Sequence, residues 1–98
     1  MSGHAATKGV ERNVALKNQL DFCNGLTGLV EKCERNRKQV RCYFNGIETT
    51  KGAVGLMVDL TNVGPMFNLR IQVTSSNTEE QNQHDAESVM KALERYFA

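Results

Sequence analysis

Few residues in this chain belong to types that do chemistry, and their spacing argues against most reactions. Cys23, Cys33 and Cys42 stand ten and nine residues apart. They form no Cys-x-x-Cys pair, so neither a zinc ribbon nor a thioredoxin-like redox motif can be written. Small buried hydrophobes are the expectation for all three. Of the two histidines, His4 lies near the amino end and His84 near the start of the last apolar stripe. A lone surface histidine is far more often a solvated group than a base. Asp59 has no paired carboxylate, and Glu79, Glu80 and Asp85 read as an acidic helix start favoured by the helix dipole. Ser75-Ser76 has no histidine arranged around it by spacing, and no Gly-x-Gly-x-x-Gly or phosphate loop occurs. The expectation is a chain that is not an enzyme, with no cofactor, no metal and no small-molecule substrate.

What remains is the chemistry of contact. Lys32, Arg35, Arg37, Lys38 and Arg41 place five cations within ten residues, a candidate phosphate-binding cluster. Residues 1–51 hold nine Lys/Arg against five Asp/Glu, a balance of +4, and residues 52–98 hold three against six, a balance of −3. The total of +1 removes the strong overall basic bias of many nucleic-acid binders.

These residues need elements to position them. Ninety-eight residues with 40% hydrophobic content and one proline describe one globular domain. Residues 1–9 read as a flexible tail and 10–98 as a single α+β domain. From Val10 to Cys33 the pattern is helical: Leu16, Leu20, Phe22, Cys23, Leu26, Leu29, Val30 and Cys33 fall on one half of the circumference. Gly25 and Gly28 fall on the wet half, leaving a flat spot for another backbone. Cys23 and Cys33 would then lie about 15 Å apart along the axis, too far to bridge.

Three segments of period-two alternation follow, with Val40, Cys42 and Phe44, then Val54, Leu56, Val58 and Leu60, then Phe67, Leu69, Ile71 and Val73 facing one way. Asn45-Gly46, Lys51-Gly52 and Gly64-Pro65 read as turns between and within them. A final helix carries Ala86, Val89, Met90, Leu93, Tyr96 and Phe97 as one stripe, with Ser76, Asn77 or Asp85 as its cap. The expected architecture is a two-layer α-β-β-β-α domain, an antiparallel three-stranded sheet with both helices on one face. Its other face is left bare, and Tyr43, Met57, Arg70 and Gln72 on that face are the candidate partner-binding residues.

Three resemblances share this element order, each covering one or two elements. Ala86 to Phe97 resembles the closing helix of double-stranded RNA-binding domains. That likeness implies a basic patch where Glu79, Glu80, Asp85 and Glu87 stand here. Phe22 through Leu26-Thr27, Leu29 and Lys32-Cys33 is similar to the first helix of an Alu-binding subunit of the signal recognition particle, which implies heterodimers laying RNA across a sheet. Val40 to Ile47 is similar to the first strand of RWD-type heads of outer-kinetochore subunits. The reading that follows is a protein-interaction module using its exposed sheet face and edge strands, as a homodimer or heterodimer; RNA binding through residues 32–41 is the alternative. No apolar run reaches the roughly 20 residues of a membrane span. No signal peptide is evident, and with reduced thiols the cytoplasm or nucleus is the expected location.

Overall fold

Apolar side chains at every second position of three successive segments build the middle of a sheet, and the surrounding residues are set by what that sheet still exposes. The computed structural model describes residues 5–27, 32–35 and 38–98. Its elements are β1 (Ala6–Val14), α1 (Gln19–Thr27), β2 (Lys32–Arg35), β3 (Gln39–Thr49), β4 (Gly52–Val63), β5 (Met66–Ser75) and α2 (Glu79–Leu93), closed by a 3-10 turn at Glu94–Tyr96. Among the described residues the strands form one antiparallel sheet in the order β1-β5-β4-β3-β2.

The three expected strands are β3, β4 and β5, and their inward faces are those read from the alternation. The count of three is corrected. Strand β1 flanks β5 and β2 flanks β3, both drawn from residues read as tail or helix. Ala6–Gly9, expected in the tail, are the first half of β1. Val10 and Val14 are four residues apart, a spacing that a helix stripe and one strand face both accept. β-branched valines favour the strand, and the other inward positions, Lys8 and Arg12, are answered by ion pairs to Glu79 (3.5 Å) and Glu94 (3.1 Å).

The first helix is correspondingly shorter than expected. Asn18 Oδ1 accepts from the Asp21 N–H at 3.1 Å, an N-cap that starts α1 only at Gln19. Leu20 turns outward and is 67% exposed, against the expectation that it joined the buried stripe. Gly28, Leu29 and Val30 lie outside the described residues, as does the expected tail segment 1–4. Cys33 lies in β2 opposite Cys42, so the helical separation from Cys23 does not apply.

Both helices contribute to one buried cluster. It takes in Phe22, Cys23 and Leu26 of α1, Ala86 and Met90 of α2, and the inward row Cys42, Val58 and Ile71. Each fully buried large apolar side chain contributes about 1.5–3 kcal/mol. No helix among the described residues is long and apolar enough to cross a membrane. The last helix is capped by Thr78, whose Oγ1 accepts from the Gln81 N–H at 3.1 Å, not by Ser76, Asn77 or Asp85. Asn45-Gly46 is not a turn: it is a bulge within β3, with Gly46 at φ 67° and the register shifting between Phe44 and Ile47.

The carboxy-terminal turn fastens α1. Tyr96 meets Phe22 edge-on, with ring centroids 5.4 Å apart, and its hydroxyl lies 2.8 Å from where a Cβ on Gly25 would stand. The flat spot at Gly25 is therefore occupied by an aromatic side chain and not by a backbone. Alanine in a helix interior is ordinarily about 1 kcal/mol better than glycine. Here the sign reverses. Gly25→Ala lowers stability by about 1–2 kcal/mol, because the new methyl pushes Tyr96 off Phe22. In a Tyr96→Phe background the same substitution is neutral or stabilising. Urea denaturation of the four proteins in this cycle measures the reversal.

Candidate functional site

The outward face of the sheet is organised in rows that run across the strands, because antiparallel pairing puts register partners on the same side. One row reads Arg41, Asp59, Arg70, Glu11 from β3 to β1. The signs of these residue types alternate along it. The neighbouring row reads Tyr43, Met57, Gln72, Gly9. Beyond it, Thr74 meets Thr7, their hydroxyls 2.8 Å apart. On the other flank Asn68 Nδ2 donates to Asn13 Oδ1 at 3.1 Å.

Asp59 is the electrostatic centre of this face. It is only 4% exposed although it points away from the apolar core. Gln39 Nε2 donates to its Oδ1 at 2.8 Å and Thr61 Oγ1 to its Oδ2 at 3.3 Å. Arg41 Nε lies 3.5 Å from Oδ1, an ionic contact too long for a well-formed hydrogen bond. The guanidinium of Arg41 is held above its ordinary range, first by a hydrogen bond with Tyr43 and, against some desolvation, by the charge of Asp59. Arg70 reaches Glu11 at 3.8 Å, with both side chains about half exposed. That second pair contributes little to stability. Its effect is to balance Arg70 locally.

Of the candidate partner-binding residues, Tyr43, Met57 and Gln72 stand side by side in one row and Arg70 in the next. Tyr43, Met57 and Gln72 line a shallow depression of about 240 Å³ together with Arg41, Gly55 and Thr74. Arg70 and Gln72 border an adjoining one of about 270 Å³ with Gly9 and Glu11. Gly55 leaves room in the first of these hollows, whereas a Cβ at Gly9 would stand 2.6 Å from the Ile71 carbonyl oxygen, so glycine there permits the close approach of β1 to β5.

The five candidate phosphate contacts are not brought onto one row. Lys32 pairs with Tyr43 and Arg35 with Val40, register positions of opposite parity. Arg37 lies outside the described residues. Lys38 is exposed just ahead of β3, its carbonyl accepting from the Asn62 N–H at 2.7 Å. Arg41 is engaged by Tyr43 and Asp59. Among the described residues no three His, Cys, Asp or Glu side chains gather as a metal site, and His84 is exposed beside Asp85 at 3.8 Å.

Sequence reasoning missed Thr7, Gly9, Glu11 and Asn13, the outward residues of β1. Their signal was present as alternation with Lys8, Val10, Arg12 and Val14, but two of those four inward positions are charged. The α-β-β-β-α order that carried the three family resemblances is not the order of the described elements, which begins with a strand. Comparison with known protein families, with curated proteins and with solved structures found no match.

The Asp59 cluster makes a quantitative forecast. Asp59→Ala leaves Gln39 without its acceptor and Arg41 without its counter-charge, and costs about 2–3 kcal/mol. Replacing both members, Arg41→Met with Asp59→Leu, costs less than about 1 kcal/mol, since neither charge is then stranded. Denaturant midpoints compared across the single and double variants test this.

Proposed function

We propose that this chain is a non-enzymatic protein-assembly module that self-associates through the outward face of its sheet. The observation that carries the reading is the row Tyr43, Met57, Gln72 beside a hollow, on a face that neither helix covers. Tyrosine gives rigid area with a polar tip, and methionine adapts its shape to what it meets; both suit contact surfaces. Glycine at position 55 leaves room for a partner's side chain. The charges on the face cancel: Arg41 lies against Asp59 and Arg70 against Glu11. A nearly neutral surface with one aromatic and one thioether in its middle favours a protein over a polyanion, which draws its affinity from unpaired cations.

Light scattering on the purified chain, alone and with total cellular RNA added, tests this. The expected mass is twice the 10.9 kDa of one chain. Tyr43→Asp and Met57→Asp, both partly exposed in the single chain, return it to one chain's mass while the circular dichroism spectrum stays the same. Arg35→Glu, Arg37→Glu and Lys38→Glu together leave the dimer intact. A single-chain mass that rises only with RNA, falls away between 50 and 200 mM salt and is abolished by that triple change overturns the proposal in favour of RNA binding.

A further inference from the structure

Among the described residues strand β1 pairs with β5 on one side and has no strand on the other, so a row of its backbone N–H and C=O groups faces outward. Helix α2 lies over β1 and β5, and between α2 and the open edge runs a groove. Its two stretches, of about 250 and 450 Å³, share Glu87 and follow the inward positions Lys8, Val10 and Arg12 along β1. The floor is apolar, from half-buried Val10 and from Met90. The helix wall carries Glu79, Glu80, Glu87 and Glu94 against one lysine, Lys91, with His84 beside them. Glu79 and Glu94 are taken up by Lys8 and Arg12, whereas Glu80 and Glu87 stand in no ion pair among the described residues.

We infer that this groove binds an extended basic peptide segment of a partner protein, which adds to β1 as a sixth strand. Residues i, i+2 and i+4 of an added strand face the groove about 6.8 Å apart. An apolar residue there lies over Val10 and Met90, and flanking lysines or arginines reach Glu80 and Glu87. Main-chain hydrogen bonds to β1 supply affinity, and alternate side chains supply specificity. A second copy of this chain does not fit. Pairing two β1 edges about a two-fold axis sets two α2 walls across one seam, so that Glu80 and Glu87 of one copy approach those of the other. A polyanion is repelled by the same wall. The inference rests on the reading of the chain as an assembly module, but it uses different residues from the self-association face.

The probe is a fluorescein-labelled decapeptide, Thr-Lys-Thr-Val-Thr-Lys-Thr-Val-Thr-Lys, titrated with the intact protein by anisotropy and followed by amide hydrogen exchange. The expected result is binding that weakens at least about tenfold when the lysines become glutamates, or when two central threonines become prolines that lack strand donors. Exchange slows at alternate amides of β1. The exposed-site variant Glu80→Lys with Glu87→Lys weakens binding at least about tenfold, while Tyr43→Asp leaves it unchanged. No binding at millimolar protein, equal binding of the proline peptide, unprotected β1 amides, or binding that survives Glu80→Lys with Glu87→Lys each overturns the inference. Loss of peptide binding in Tyr43→Asp does so too, by moving the peptide to the outward face. Failure of self-association leaves this titration readable, because the two experiments perturb separate surfaces.

Discussion

One buried amide holds the two ends of the chain together. Asn82, one turn into α2, has no solvent exposure. Its Oδ1 accepts from the Ser75 hydroxyl and its Nδ2 donates to the Ala6 carbonyl at 3.0 Å. One side chain thus joins the start of β1, the end of β5 and the first turn of α2. A buried amide left without partners costs roughly 1–3 kcal/mol, so α2 can sit on the sheet only where both bonds are made. The other end of α2 is fixed in kind. The Lys17 N–H donates to the Tyr96 carbonyl at 2.9 Å, the Ala98 N–H to the Ala15 carbonyl at 2.8 Å, and Leu16 bridges to Phe97. The segment between β1 and α1 is therefore clasped by the carboxy terminus, which also supplies Tyr96 to α1.

That clasp explains which parts of the fold were readable from the sequence. Strands β3, β4 and β5 were, because adjacent strands bury one face each and their alternation is uninterrupted through β4, β5 and the Val40–Phe44 part of β3. Helix α2 was, because Ala86, Val89, Met90 and Leu93 repeat at helical spacing. Strand β1 was not. Its inward face is Lys8, Val10, Arg12, Val14, and the two charged members are acceptable there only because Glu79 and Glu94, some seventy to eighty residues later, lie above them. No local window contains that information. The bulge at Asn45-Gly46 is a similar case: the dipeptide permits a positive φ, and whether it ends a strand or kinks one is decided by pairing with β4. Of the candidate site, the Tyr43, Met57 and Gln72 row followed from parity alone. Glu11 and Gly9 required the unseen strand.

The face on which that row lies shows how charge and burial trade against each other. A carboxylate shielded to the extent of Asp59 would be costly if isolated, since the desolvation of one ion amounts to several kcal/mol. Two neutral donors and one guanidinium offset that cost. Arg41 is thereby committed. It sits in the cation-rich stretch of the sequence, yet its charge is directed across the sheet at a neighbouring strand.

The same holds for the uneven distribution of charge along the chain. A basic first half and an acidic second half suggest a molecule with two poles, one of them suited to phosphates. Topology undoes this. β1 from the first half lies beside β5 and beneath α2 from the second, and β3 lies beside β4. The pairs Lys8–Glu79, Arg12–Glu94, Arg41–Asp59 and Glu11–Arg70 each join one half to the other. Charge separated along the sequence is thus paired across the strand and helix seams of the folded chain. What survives pairing on α2 is Glu80 and Glu87 with Lys91, beside the edge of β1 that has no neighbouring strand among the described residues. Electrostatic character belongs to what the fold leaves unpaired, and along the helix wall beside β1 two unpaired carboxylates, Glu80 and Glu87, outnumber one lysine, Lys91.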